Sequence, residues 1–283
     1  MLSVRNIKNR IRSIENTKKV TQAMEMVALA KLNRIDKMLY ALRDYAADME
    51  ALKNDLLGGN IKIAHPLLAE RAVSKEIVLC VITSDNGLCG LYNNNLIRVA
   101  EEFIQKYGED KIKLVILGRK GFNYFKTRSM PILKAYVGLN GRYQERISDE
   151  IANYLIDLYA FGKTDAVYLA YTHFKRFMVY EPVIKKFLNL EKSGGNDTDY
   201  ILEPGPQRII EEFIPRYVTV IFRSILLEAF TSEHSARTIA MKTSTDNARD
   251  LLKKLTVQRN KARQANITTE MLEIISSSEA LKG

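Results

Sequence analysis

All six prolines, and every glycine except the terminal Gly283, fall between Gly58 and Pro215. The flanks are therefore free of helix breakers. Ser3 to Leu57 contains neither residue, and Pro215 to Lys282 contains none after Pro215 itself. As α-helices rising about 1.5 Å per residue, these flanks would be roughly 80 and 100 Å long. No globular domain of this size buries rods of that length, so each flank must lean on something else. An antiparallel pair, with the two apolar stripes covering each other, is the simplest solution.

The spacing of apolar residues supports this pairing. In the first arm Ile35, Met38, Leu42, Tyr45, Met49, Leu52 and Leu56 alternate by three and four, the coiled-coil period. Nearer the start, Ile7, Ile11 and Ile14 follow the same rule. Ser3 reads as the N-cap and Gly58-Gly59 as the stop. In the second arm the seam runs through Val218, Phe222, Ile225, Ala229, Ser232, Ala236 and Ile239. It then changes phase to Met241, Ser244, Ala248, Leu251, Leu255, Gln258, Ala262 and Ala265. Such a slip alters supercoiling without breaking a helix. Before it, Gln207 to Phe213 predicts one short helix that Pro215 ends, unless Pro215 opens the next.

Between the arms the punctuation is that of an ordinary domain. Lys75–Thr83 (KEIVLCVIT) predicts a buried strand, followed by the turn Ser84-Asp85-Asn86-Gly87. Asn95–Tyr107 predicts a helix, Lys113–Gly118 a second strand, Gly118–Phe125 a short helix and Pro131–Val137 a third strand. Glu145–Phe161 is an amphipathic helix, and Asp165–Thr172 with Val179–Leu188 suit a hairpin. A polar loop at 193–197 and Pro204-Gly205-Pro206 close the domain. Alternating strands and helices predict an α/β fold with a mainly parallel, Rossmann-like sheet. The expected division is 1–57 for the first coiled-coil helix, 58–207 for the central α/β domain and 208–283 for the second coiled-coil helix.

Catalytic chemistry finds little support. The turn from Asp85 to Gly90 (DNGLCG) follows a strand, but it has two glycines and no Lys-Ser/Thr after them, so it fits neither a P-loop nor a dinucleotide fingerprint. A structural turn is the better reading. Cys89 has no histidine near it in sequence, and His65, His173 and His234 show no metal or triad spacing. No cofactor or metal is expected. Two cysteines, Cys80 and Cys89, are too few for a disulfide framework. The N-terminus lacks an apolar signal core, and no run approaches 18 apolar residues. Any attachment to a membrane is therefore expected to run through partners.

A net charge of +10 favours acidic partners. Arg5, Lys8, Arg10, Arg12, Lys18, Lys19 and Lys31 crowd the first arm, and Lys242, Arg249, Lys253, Lys254, Arg259, Lys261 and Arg263 the second. A solvated helical face, nucleic-acid binding and an acidic protein collar all suit such runs, although aromatic residues for nucleic acid are nearly absent. At the far end Ile267, Met271, Leu272, Ile274, Ile275 and Leu281 spread around the helix, as a tip inside a hydrophobic sleeve would require.

Three stretches carry a family resemblance. They are NTKKVTQAMEMVALAKL (Asn16–Leu32), SDNGLCGLYNNNL (Ser84–Leu96), and SEHSARTIAMKTSTDNARDLLKKL from Ser232 with RNKARQANITTEMLEI following it. In order and end to end, they resemble the gamma subunit of rotary F-type ATP synthase of the bacterial type. The resemblance implies a non-catalytic central-stalk shaft: an antiparallel coiled coil inside a ring of alpha and beta subunits, above an α/β foot. It implies that the foot binds the epsilon subunit and the membrane rotor ring of c subunits, with no nucleic acid and no substrate of its own. The implied place is peripheral, on the cytoplasmic face of the inner membrane. By motif position, Lys19 and Met24 match the rotor-facing segment of the first arm, and Arg237, Gln264, Thr268 and Glu270 the polar contacts of the second with beta subunits. Between Asp36 and Leu57 only apolar spacing matches, so no contacts carry over there. The 190s loop has no cysteine, so the thiol control of the chloroplast type is not expected. A coiled-coil nucleotide- or nucleic-acid-binding module is the rival reading, and an enzyme using the Asp85–Gly90 turn a third.

Overall fold

The computed structural model describes residues 4–58, 65–69, 71, 76–190, 203 and 205–280. Ser3, Gly59, Lys75, Pro204, Leu281 and the 193–197 loop lie outside them. The chain forms two compact units, Met1–Val27 with Thr238–Gly283, and Ala28–Arg237. Two helices, α1 (Val4–Gly58) and α5 (Pro206–Ala280), contribute to both.

The larger unit is built on five strands: β1 (Ile77–Ile82), β2 (Ile112–Leu117), β3 (Ile132–Tyr136), β4 (Ala166–Arg176) and β5 (Val179–Leu188). Their order is β3-β2-β1-β4-β5, parallel except for the antiparallel β4–β5 hairpin. Helices α2 (Tyr92–Tyr107), α3 (Arg119–Thr127) and α4 (Glu145–Ala160) connect them. This is the α/β layer that the alternation predicts.

β1 shows why its apolar run is unbroken. Ile77, Leu79 and Val81 face a core shared with α2 and α3, whereas Val78, Cys80 and Ile82 face one shared with α4, α1 and α5. A strand covered on both faces needs apolar residues at every position.

The long helices correct the sequence reading in three places. In α1 of the larger unit the buried stripe is Ile35, Leu39, Ala46, Met49, Lys53 and Leu56, with Leu42 half-buried. Met38, Tyr45 and Leu52, expected in the seam, are 39–42% exposed. The heptad period holds, but every second contact falls at a step of four instead of three. Lys53 belongs to the stripe because its ammonium meets Glu50 Oε1 at 2.6 Å and lies 5.4 Å from the Tyr217 ring. Accordingly, Leu39→Ala should cost about 3 kcal/mol and Met38→Ala less than about 0.5 kcal/mol. Thermal unfolding of the full chain would compare them, and equal losses would restore the original seam.

The second correction is Pro215. It does not divide the helix, and α5 runs through it. Proline denies the Glu211 carbonyl its usual donor, but Glu211 is exposed and water can replace that donor. On either side Ile210, Ile214 and Val218 are fully buried and hold the turn in place. Packing here overrides propensity.

In the smaller unit α1 and α5 pair antiparallel. Thr245 Oγ1 donates to Thr21 Oγ1 at 2.8 Å, while Ile7 and Ile11 pack with Leu255, flanked by Ile14, Leu252 and Ala262. Thr245 and Leu252 take the places expected for Ser244 and Leu251, again a step of four. Ala265 and Gln258 are exposed.

Candidate partner-binding surfaces

In a parallel sheet that reverses strand order, ligands usually sit beyond the strand C-termini at the switch point. Here that point lies between β1 and β4, and the chain's own side chains gather at the β1 end beside it. The Asp85 carboxylate accepts three backbone N–H bonds, from Asn140 (2.7 Å), Gly138 (2.9 Å) and Arg119 (3.0 Å). Arg237 donates to the carbonyls of Asn86 (3.2 Å) and Gly87 (3.4 Å). The Asp85–Gly90 turn is thus tied to three other segments through its own carboxylate and carbonyls. These bonds give the turn a structural role.

Behind the turn lies a buried polar group. Glu233 is 1% exposed, and its Oε1 approaches Arg237 Nη1 at 2.8 Å, though off hydrogen-bond geometry. Burial pushes its carboxyl above the usual range, only partly offset by Arg237. His234 Nε2 bonds the Gly141 carbonyl at 2.9 Å, and its Nδ1 faces Arg237 Nη1 at 3.2 Å. An arginine can only donate, so the ring is neutral with its proton on Nε2. Burial, with Arg237 adding to it, lowers its pKa to about 4.

Both cysteines are buried, Cys80 inside β1 and Cys89 beneath the turn, where Asn93 Nδ2 donates to Sγ at 3.2 Å. Burial raises both thiol pKa values, so neither is an activated nucleophile. Among the described residues no cluster of His, Cys, Asp or Glu suits a metal ion. No described helix is long and apolar enough to cross a membrane.

The residues expected to meet partners are not all alike. Lys19 is exposed and Met24 half-buried on α1; Gln264, Thr268 and Glu270 are exposed on α5, with the Thr268 hydroxyl bonded back to the Gln264 carbonyl at 2.9 Å. Arg237 differs: it is 8% exposed, and its guanidinium is committed to Glu233, His234 and the turn. The Glu233–Arg237 pair at i, i+4 was legible as a helix ion pair, and it was the missed sign that Arg237 faces inward. The smaller unit has a basic surface. Of its lysines and arginines, only Arg249 and Lys253 have a carboxylate within ion-pair distance among the described residues. Toward the end of α5, Ile267, Met271, Leu272, Ile274 and Ile275 are 47–68% exposed.

Known proteins match this arrangement along its whole length. The family model described as "ATP synthase" matches residues 3–281. The chain is similar to the ATP synthase gamma chains of Desulfitobacterium hafniense (39% identical) and Chlorobium phaeobacteroides (37% identical), each pairing covering 100% of both chains. Among solved structures, a chain of the Euglena gracilis mitochondrial ATP synthase (OSCP/F1/c-ring) is similar at TM-score 0.73 and 19% identity, over 98% of this chain and 94% of that one. A chain of the Tetrahymena thermophila mitochondrial ATP synthase central stalk/c-ring gives 0.61 and 22%, over 79% and 98%.

Proposed function

Because the chain belongs to the ATP synthase gamma chain family, we propose that it is the central-stalk rotor shaft of a rotary ATP synthase, coupling proton-driven rotation to ATP synthesis or hydrolysis in a surrounding ring. In this reading it is non-catalytic. The alpha and beta subunits do the chemistry, the epsilon subunit and the membrane ring of c subunits bind the foot, and the chain lies peripherally on the cytoplasmic face of the bacterial inner membrane. The segments 1–57, 58–207 and 208–283 then act as arm, foot and arm. The observation that carries the reading is the end of α5, where apolar side chains stand exposed on several sides of a helix with no core of its own. Water-exposed apolar surface of that extent asks for a sleeve.

A shaft works without chemistry because its faces differ. Each ring subunit meets a different surface at each angle and favours the conformation that binds that surface best, which is differential affinity driven mechanically. Lys19, Met24, Gln264, Thr268 and Glu270 are proposed to make these contacts directly. Arg237 is proposed to act by fixing the Asp85–Gly90 turn. The basic faces call for carboxylates on the ring.

Co-expression tests this. The full chain should copurify with alpha, beta and epsilon subunits in an ATPase whose activity needs the ring. Replacing Ile274 and Ile275 with aspartate should lower recovery of the complex about tenfold or more, as loss of two buried apolar anchors implies. A chain that purifies alone and binds nucleotide or duplex DNA would favour the rival module.

A further inference from the structure

Outside the knot beside the switch point, the larger unit has a second concave feature. A half-open pocket of about 530 Å³ is lined by Lys31, Arg34, Ile35 and Met38 of α1 and by Gly141–Gln144, the segment leading into α4. Three of these side chains are cationic and none is acidic. None of the three cations has a carboxylate within ion-pair distance among the described residues, and Lys31 Nζ bonds only the Asn140 carbonyl, at 3.2 Å. Arg43, Arg223 and Arg237 of the same unit, by contrast, are all paired.

The nearby charges are accounted for. Glu233 is buried behind Gly141, facing Arg237. Glu145 and Asp149, which follow the pocket into α4, are held by Arg223 at 2.7 and 2.6 Å. Gln144, the N-cap of α4, makes no side-chain cap bond and lines the pocket. Burial, then the like charges of Arg142 and Arg237, lower the Lys31 pKa, and the buried Glu233 offsets this only in part. The group is crowded with positive charge, and an anion would relieve that crowding.

We propose that this pocket is a binding site for a small multivalent oxyanion of the phosphate class, held by Lys31, Arg34 and Arg142. The exposed guanidinium groups of Arg34 and Arg142 and the half-buried ammonium of Lys31 line one concavity, and such a set suits the several oxygens of a phosphoryl group better than a single carboxylate. The walls of Ile35, Met38 and Tyr143 leave room for more than one phosphoryl group or for an organic substituent. The site is regulatory or structural, since no nucleophile or acid–base pair lines it, and it does not depend on the rotor reading.

Lysine labelling on the full chain at low ionic strength tests the site. A limiting amine-acetylating ester is added with and without pyrophosphate, and acetylation rates at Lys31, Lys8 and Lys19 are followed by mass spectrometry. Saturating pyrophosphate should slow Lys31 by about fivefold or more, as occupancy with [L] well above Kd implies, while Lys8 and Lys19, exposed on the smaller unit, change little. Arg142→Gln and Arg34→Gln should each abolish the selective protection. Neither is expected to unfold the loop, because the Arg142 backbone N–H keeps its bond to Leu139. Equal slowing at all three lysines, or protection that survives both variants, overturns the proposal. So does protection by polyglutamate but not by pyrophosphate, which would make the pocket a seat for an acidic peptide.

Discussion

Gly118→Ala is expected to unfold the α/β unit, at a cost of about 4 kcal/mol or more. Gly118 follows β2 with φ +91, a conformation side chains rarely adopt, and an added Cβ would lie 2.2 Å from the Thr83 carbonyl oxygen and 2.8 Å from its Oγ1. The clash has no soft exit. Thr83 N–H bonds the Leu117 carbonyl at 2.8 Å, Gly118 N–H bonds the Tyr136 carbonyl at 2.8 Å, and Thr83 Oγ1 accepts the Gly121 N–H at 2.9 Å. Moving either strand end would break the β1–β2–β3 ladder where it sets the position of the Asp85 turn. Gly138→Ala separates the two causes. Gly138 has φ +89 but nothing within 4 Å of an added Cβ, so only the conformational cost of about 1–2 kcal/mol remains. Hydrogen exchange of the β1 and β2 amides in the full chain measures both. Protection lost in Gly118→Ala and mostly kept in Gly138→Ala is the expected pattern. Equal effects would mean that backbone conformation, and not close approach, makes Gly118 necessary.

What the sequence made legible follows from which forces are local. β1 was readable because burial on both faces demands an unbroken apolar run, and IVLCVI has one. The hairpin was readable from two β-rich stretches with a short connection. The exact stripe of α1 was not, because Met38, Tyr45 and Leu52 give as regular an apolar spacing as Leu39, Ala46 and Lys53, and Lys53 is buried by what it meets, Tyr217, more than 160 residues away. Pro215 misled for a similar reason: its propensity is local, while the packing of Ile214 and Val218 is not. The role of Asp85 stayed hidden because its partners are backbone N–H groups at 119, 138 and 140. Side-chain identity says nothing about such partners. Of the residues expected to reach other subunits, Arg237 shows how a motif can mark importance without marking exposure.

The largest expected effect on function is at Met24. Met24→Lys should leave assembly intact but uncouple the motor, so that ATP-driven proton pumping falls about fivefold further than ATP hydrolysis. Met24 is half-buried on α1, three residues after Thr21, whose hydroxyl meets Thr245. At a step of three the two side chains share a helix face, so Met24 lies beside the inter-helix seam, neither in the core nor free in water. Lysine there adds a fourth charged group to Lys18, Lys19 and Glu25, at a site proposed to pass the ring's carboxylates once per turn. A flexible thioether slides past such groups, whereas an ammonium pairs with them. An exposed pair contributes under about 1 kcal/mol, and a desolvated one more. About 1 kcal/mol of extra attachment at one angle shifts the occupancy of that angle about fivefold, enough for catalysis to run ahead of rotation. Met24→Leu keeps the volume without the charge and should pump normally. The ratio of pumping to hydrolysis in membranes carrying each variant decides. If both activities fall in proportion in Met24→Lys, or if Met24→Leu uncouples equally, the residue acts through packing and the contact proposed for it does not exist.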